Sequence, residues 1–302
     1  MKAGFIGAGK AGCSLGRYLR DLRLKESVAA DENCGAGRTF ELSGFYSKTF
    51  EHSKEAADDT KSAAFSNFEQ VISESDIIFI TTPDRVIGEV WETIRKKGEQ
   101  GELPVKGRTF CHLSGSLSSE VFCGRKELGA YGCAVHPMQA ISSRDTDFSG
   151  TFFTADGDAE AVAAVKELLS QKGNPVSVIE PSFKKKYHMA ASTASNLVVG
   201  LIQMALDALK ECGFSQDTAL AMLTPLIEGN VKNICEKGTA AALTGPVERG
   251  DAETVKAHLQ QLTGERREIY RLLSRQLMGV AQVKNETRDY SNLETLLEEK
   301  DQ

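Results

Sequence analysis

Apolar positions along the chain first cluster in short runs and later recur at helical spacing. Residues 2–7 (KAGFIG) are a compact apolar run ending in glycine, and 10–24 carry apolar residues at a helical period. That is strand, tight turn, helix. Residues 31–39 (DENCGAGRT) read as a loop, 42–47 as a second strand, 51–58 as a helix and 67–74 as a short helix. The stretch 76–82 (DIIFITT) is apolar on both faces, as a buried parallel strand should be. Helix 84–97, strand 108–113, helix 117–128 and strand 131–135 follow, and strand 151–155, helix 158–172 and strand 175–179 complete the sheet. Strands alternating with helices in this way predict an α/β, doubly wound domain. Beyond Pro181 no strand pattern remains, and four or five amphipathic helices fill the rest, the first over 183–212. The expected division is therefore an α/β domain at 1–180 and an all-helical domain at 181–302, with an acidic tail from 292 that frays.

Composition narrows the function classes. A 302-residue chain with 41% hydrophobic and 26% charged residues can bury two cores. The net charge of −6, with no basic block beyond Lys184–Lys185–Lys186, argues against nucleic acid as partner. No apolar run reads as a membrane span, and the first strand begins too early to leave room for a signal peptide. The seven cysteines (13, 34, 111, 123, 133, 212 and 235) form no CxxC pair. They read as reduced thiols of a cytoplasmic protein rather than as metal ligands or disulfides, and no metal is expected.

Gly7-Ala-Gly9-Lys10-Ala-Gly12 is a G-x-G-x-x-G between the first strand and first helix. In that context it predicts a dinucleotide site: Gly7 for the tight turn, Gly9 for close approach of a diphosphate, Gly12 for helix–strand packing. Lys10 lies within the same turn. Where the second strand ends, Tyr46-Ser47-Lys48-Thr49 stands in place of an acidic residue. A hydroxyl and an ammonium suit a 2′-phosphate, so NADP(H) is expected over NAD(H). Thr82-Pro83 ends another strand on the cofactor side. His112 with Ser114, and His136, end two more, so all fall on the carboxyl edge where open α/β sheets bind ligands. Each histidine taken singly is as well explained by a structural hydrogen bond. No pattern points to a hydrolytic triad.

Residues 184–196 (KKKYHMAASTASN) place three lysines just after Ser182, a candidate N-cap. Positive charge there opposes the helix dipole, which suggests an anionic partner. Lys184, His188, Ser192 and Asn196 follow one another at steps of four, each drifting about 40° and rising about 6 Å. One small substrate cannot span all four. Lys185 aligns with Ser192 and Asn196 almost as well as Lys184, so geometry leaves the two lysines unresolved. The alternative is a solvated basic patch with His188 and Asn196 bonded in the core. The apolar helix around 197–202 predicts a homodimer built on the helical domain. Leu243–Asp251 (LTGPVERGD) reads either as a loop-to-helix turn near the shared cleft or as a plain helix stop in which Asp251 caps the helix of 252–262.

GFIGAGKAG, TTPD, HLSGSLSSEV, HPMQ, KxxYHMAASTASN and LTGPVERGD together resemble a family of Rossmann-like oxidoreductases with a helical C-terminal domain of undetermined function, related to ketopantoate reductases, pyrroline-5-carboxylate reductases and 3-hydroxyisobutyrate dehydrogenases. The resemblance covers nearly the whole chain and favours Lys184 over Lys185. It implies an NADP-dependent enzyme acting on a small carboxylate, first of all a 2-oxo acid such as ketopantoate. Lys184 and His188 would be catalytic, with Ser114, His112, His136, Ser192 and Asn196 binding substrate. Ketopantoate reductases carry Lys-x-x-x-Asn on this helix, whereas here His188 stands four after Lys184. An imine reductase, a prephenate-like dehydrogenase and a non-catalytic NADP-binding sensor remain as alternatives.

Overall fold

The computed structural model describes residues 1–20, 22 and 40–298. The expected loop at 31–39, Cys34 and the last four residues of the tail lie outside the described residues. Contacts divide the chain into two compact units, Met1–Asn196 and Leu197–Gln302.

The first unit is built on strands β1 (Lys2–Ile6), β2 (Glu41–Tyr46), β3 (Ala63–Phe65), β4 (Ile77–Ile80), β5 (Thr109–His112), β6 (Tyr131–Pro137), β7 (Phe153–Gly157) and β8 (Val176–Val178). They form one sheet in the order β3-β2-β1-β4-β5-β6-β7-β8. Helices α1 (Lys10–Leu19), α2 (Phe50–Thr60), α3 (Phe68–Glu74), α4 (Asp84–Glu99), α5 (Ala159–Ser170) and α6 (Lys184–Ala194) complete it. Phe5, Phe79, Cys111, Cys133 and Ala155 fill a core on one face with Leu15, Leu19 and Val165. Ile6, Ile78, Ile80 and Phe110 fill the other with Ile87, Trp91 and Phe122. Apolar burial on both faces explains why the central strands read as unbroken apolar runs.

The doubly wound α/β fold is as expected, with local departures. The edge strand β3 pairs over three residues with β2, too short to leave a sequence pattern. The expected helix 117–128 is a single turn at Ser119–Val121 followed by irregular chain. Phe122 is drawn into the core against Trp91, and the Trp91 indole N–H donates to the Cys123 carbonyl at 2.8 Å. That carbonyl is thus engaged by a distant residue, and Gly124 turns left-handed at φ 75°. β7 runs antiparallel to β6, because residues 138–152 return the chain without a crossover helix.

Ser182 does not cap the next helix. Pro181–Phe183 form a turn that leads directly into α6. The expected continuous helix over 183–212 is broken at Ser195, whose φ −125° and ψ −76° are not helical. The Thr193 hydroxyl donates to the Met189 carbonyl and the Ser195 hydroxyl to Ala191, each at 2.8 Å. Hydroxyls that compete for i−4 carbonyls bend helices. The stripe from Lys184 to Asn196 is therefore not one straight face.

The second unit holds α7 (Asn196–Glu211), α8 (Gln216–Ala242), α9 (Pro246–Arg249), α10 (Ala252–Gln260), α11 (Gly264–Lys284) and α12 (Ser291–Glu298). Its core is Val247, Val255, Leu259, Met278, Ala281, Tyr290, Leu293 and Leu297, supplied by α9–α12 and the approach to α12. Asp251 caps α10, accepting from the Thr254 N–H at 3.0 Å. Contrary to the expectation of no span, Pro181–Glu211 is long and apolar enough by length and composition to cross a membrane. Only 6% of its most apolar stretch is buried.

Candidate functional site

The glycine turn is shaped by three contacts. Gly7 adopts φ 120°, a region closed to most side chains. Its N–H donates to the Tyr46 carbonyl at 2.7 Å, and its carbonyl accepts from the Thr81 hydroxyl at 2.7 Å. A Cβ on Gly12 would collide with the Gly7 carbonyl and the Thr81 hydroxyl, so the helix can approach the strand only without one. A Cβ on Gly9 would meet nothing within 4 Å. Gly9 begins α1 without a side-chain cap, and the first turn has no acidic residue. These amides are therefore free to accept an anion, and the dipole favours one. Lys10 is exposed beside them.

The bond from Gly7 to Tyr46 sets Ser47 and Lys48 next to this turn, Ser47 half-buried and Lys48 exposed. Thr82 and Pro83 lead from β4 into α4, and the Thr82 hydroxyl is buried without a hydrogen bond. Gly7, Gly9, Lys10, Gly12, Ser47, Lys48, Thr82 and Pro83 thus gather at the carboxyl ends of β1, β2 and β4. The open turn, the uncapped amides and the lack of a carboxylate among Tyr46, Ser47, Lys48 and Thr49 fit NADP(H).

A second group gathers at the ends of β5 and β6. His112 is fully buried, accepts at Nδ1 from the Ser114 N–H at 3.2 Å and faces the Ser118 carbonyl with Nε2 at 3.2 Å. That pattern places its proton on Nε2. Burial, opposed by the Ser118 carbonyl and aided by the Lys184 charge, pulls its pKa down to about 4. The Ser114 hydroxyl donates to Asp84 at 2.6 Å and accepts from the Leu117 N–H at 3.0 Å. His136 shares a hydrogen bond of 2.9 Å between Nδ1 and the Tyr187 hydroxyl. Burial first, then the Lys184 and His188 charges, also hold His136 near a pKa of about 4. Burial raises the Tyr187 hydroxyl.

His136 and His188 meet edge to face, ring centres 5.9 Å apart, over Gly115. A Cβ on Gly115 would collide with His188 Nδ1 and lie 2.8 Å from His136 Nε2. His188 Nδ1 is buried without a hydrogen bond.

Lys184 departs from its expected setting. Its side chain is 1% exposed, and Nζ lies 3.2 Å from Asp156 Oδ2, itself 0% exposed. The anion that answers the lysine run is therefore a carboxylate of the protein itself. Lys185 and Lys186 face solvent, where a first-turn charge costs little. Burial lowers the Lys184 pKa, and Asp156 opposes that. Ser192 is half-buried one turn beyond His188, and Asn196 is exposed past the break. The geometry thus unites His112, Ser114, His136, Lys184 and His188 but not Asn196.

Sequence reasoning left Asp156, Tyr187 and Thr154 without a role, and it placed Asp84 only as part of the TTPD strand ending over the cofactor, not as the partner of Ser114. Tyr187 stood inside a quoted motif. Asp156 had no local signal: it joins the group through register, His112 pairing with Ala134 and Ala134 with Asp156, so all three leave the sheet on one face. Among the described residues six buried side-chain polar atoms lack a hydrogen bond. Five belong to this edge: Thr82 Oγ1, Thr154 Oγ1, Asp156 Oδ2, Lys184 Nζ and His188 Nδ1. Asp156 Oδ2 and Lys184 Nζ answer each other as an ion pair, which leaves Thr82, Thr154 and His188 as the unanswered groups. Such groups cost stability and concentrate where a protein does chemistry.

Residues 151–277 match the family model described as a domain of unknown function, DUF2520. No curated protein matches. A Thermotoga maritima protein of solved structure is similar at 23% identity and TM-score 0.69, over 95% of this chain and 100% of its own. A Bacteroides fragilis protein classed provisionally as an NADP oxidoreductase is similar at 22% identity and TM-score 0.66, over 92% and 98%. A 1-pyrroline-5-carboxylate reductase from Streptococcus pyogenes is similar at 14% identity and TM-score 0.60, over 92% and 98%. These likenesses show the fold. Together with the DUF2520 match they fit the Rossmann-like family with a helical C-terminal domain that the motifs resemble.

Proposed function

We propose that the protein is a cytoplasmic NADPH-dependent oxidoreductase that reduces the carbonyl of a small 2-oxo acid, with ketopantoate, reduced to pantoate, as the first compound to test. The observation that carries this reading is the convergence of His136 and His188 on Gly115 at the sheet edge that also bears the uncapped glycine turn. The amides after Gly9 would hold the cofactor diphosphate, and Ser47 and Lys48 its 2′-phosphate. When bound, the nicotinamide supplies a hydride. His188 gives the proton to the carbonyl oxygen, and Ser114, fixed by Asp84, orients the substrate. His112 and His136, kept neutral by burial, add no competing charge. The buried Lys184 ammonium favours a carboxylate nearby, although its pairing with Asp156 moderates that field.

The names of the similar proteins support reductase chemistry with NADP, and one names a carboxylated cyclic imine. Reduction of a C=N bond beside a carboxylate is therefore the second reading. Mixing the protein with NADPH and a panel of 2-oxo acids and cyclic imino acids, and following NADPH absorbance, separates the two. Replacing His188 with Ala should lower kcat/KM at least about 100-fold, the lower range for a general acid, with NADPH affinity within about threefold. Full turnover by that variant would remove His188 from the chemistry. NADPH binding with no turnover across the panel would instead favour a sensor.

The same reading includes a homodimer formed through the helical unit. Its support is the apolar surface of that unit: Leu197, Val199, Leu226 and Val283 are each at least 59% exposed. Large apolar side chains exposed on α7, α8 and α11 are candidates for burial against a second copy.

A further inference from the structure

We propose that Asp156 is a positioning residue for the reaction: its buried ion pair with Lys184 holds α6 in place so that His136, Tyr187 and His188 meet over Gly115. This rests on the reductase reading above, in which those side chains face the substrate.

The two partners come from different elements and have few alternatives. Asp156 lies on β7, the antiparallel strand, and its Oδ1 accepts from the Ser119 N–H at 2.7 Å. Its Oδ2 has no hydrogen bond and lies 3.2 Å from Lys184 Nζ. Lys184 opens α6, and its ammonium sits 5.9 Å from the centre of the Tyr187 ring one turn on. Asp156 therefore ties three segments together: the single helical turn that begins at Ser119, the strand β7 and the start of α6. Tyr187 and His188 follow three and four residues after the tie point, on the side of the helix that Lys184 occupies. A shift at Lys184 is transmitted directly to both.

The pair also determines the charge around His136. Facing that ring are Lys184, Tyr187 and His188 from α6, Asp84 from α4, His112 from β5 and Thr154 from β7. Lys184 is the strongest of the charges that disfavour a protonated His136. A buried lysine stays protonated only while a carboxylate answers it. Without Asp156 the lysine would shed its proton, and His136 would accept one more readily.

The test uses the full chain and three variants: Asp156→Asn, the double variant Asp156→Asn/Lys184→Met, and Lys184→Arg. Readouts are thermal unfolding, NMR titration of the His136 ring, and kcat and KM for the best substrate across pH. In Asp156→Asn the His136 midpoint should rise by about half a unit or more from its value of about 4, and kcat should fall at least about tenfold with little change in KM for NADPH. The double variant, with no unpaired charge, should regain much of the lost thermal stability yet keep the raised midpoint and the low kcat. Lys184→Arg keeps the charge and should leave the His136 midpoint where it was.

A folded double variant with wild-type kcat and an unshifted His136 would overturn the proposal, and so would a double variant that fails to fold, since the pair would then be purely structural. If the unmodified protein turns over no substrate, the reductase reading fails on its own. The His136 titration would then still decide whether Asp156 governs the charge of this cluster.

Discussion

Acidification should weaken the sheet unit through histidines that folding holds neutral. His112 is fully buried, its Nδ1 accepting from a backbone N–H, and its pKa is pulled from 6.5 to about 4. His136 is shifted by a similar amount but is only partly buried. Because the folded pKa lies below the unfolded one, the unfolded chain binds more protons between these values. Stability from each ring is thus fully present above about pH 6.5 and is lost as pH falls towards 4. Going from pH 7 to about 4.5 costs about 2 kcal/mol at His112 and, after discounting for solvent, about 1 kcal/mol at His136. Denaturant unfolding followed by fluorescence of Trp91, the sole tryptophan and buried between Phe110 and Phe122, reports this unit. Carboxylates titrate in the same range, so the comparison that isolates the ring is His112→Gln, whose amide can still donate to Ser118. That variant should be less stable at pH 7 but lose about 2 kcal/mol less on acidification. An acid loss identical to that of the unmodified protein would refute the reasoning.

The glycines of the turn should separate by role. Gly12→Ala forces a clash with the Gly7 carbonyl and should destabilise the fold by about 1–3 kcal/mol in the same unfolding assay. Gly9→Ala meets nothing in the protein, so it should leave stability within about 0.5 kcal/mol while weakening NADPH binding at least about tenfold by calorimetry. Replacing Ser47 with Asp and Lys48 with Ala should shift preference from NADPH towards NADH by about tenfold to a hundredfold, and equal binding of both cofactors by the unmodified protein would remove the basis for it. Light scattering at micromolar concentration should give a dimer mass, and Leu226→Glu, 69% exposed on α8, should shift it to monomer.

Local sequence alone determined the glycine turn and most strand–helix alternation, because both depend on neighbours in the chain. Gly7, Gly9 and Gly12 announce themselves by spacing, and the apolar run of β4 reads as a strand because both of its faces are covered. His112, Ser114 and His136 were legible as strand ends on one edge. Tertiary structure decided the rest. The antiparallel turn of β7 brings Asp156 level with His112, which no local pattern records, since register between strands depends on how the intervening chain returns. Burial of Lys184 against that carboxylate answered the charge question raised by its lysine run, because the partner lies 28 residues away in sequence, at Asp156. The break at Ser195 shows the same limit: side-chain hydroxyls drew off carbonyls that the apolar pattern assigned to a continuous helix. Periodicity reports which face of an element is buried, but which groups meet within that burial is settled only when the elements pack.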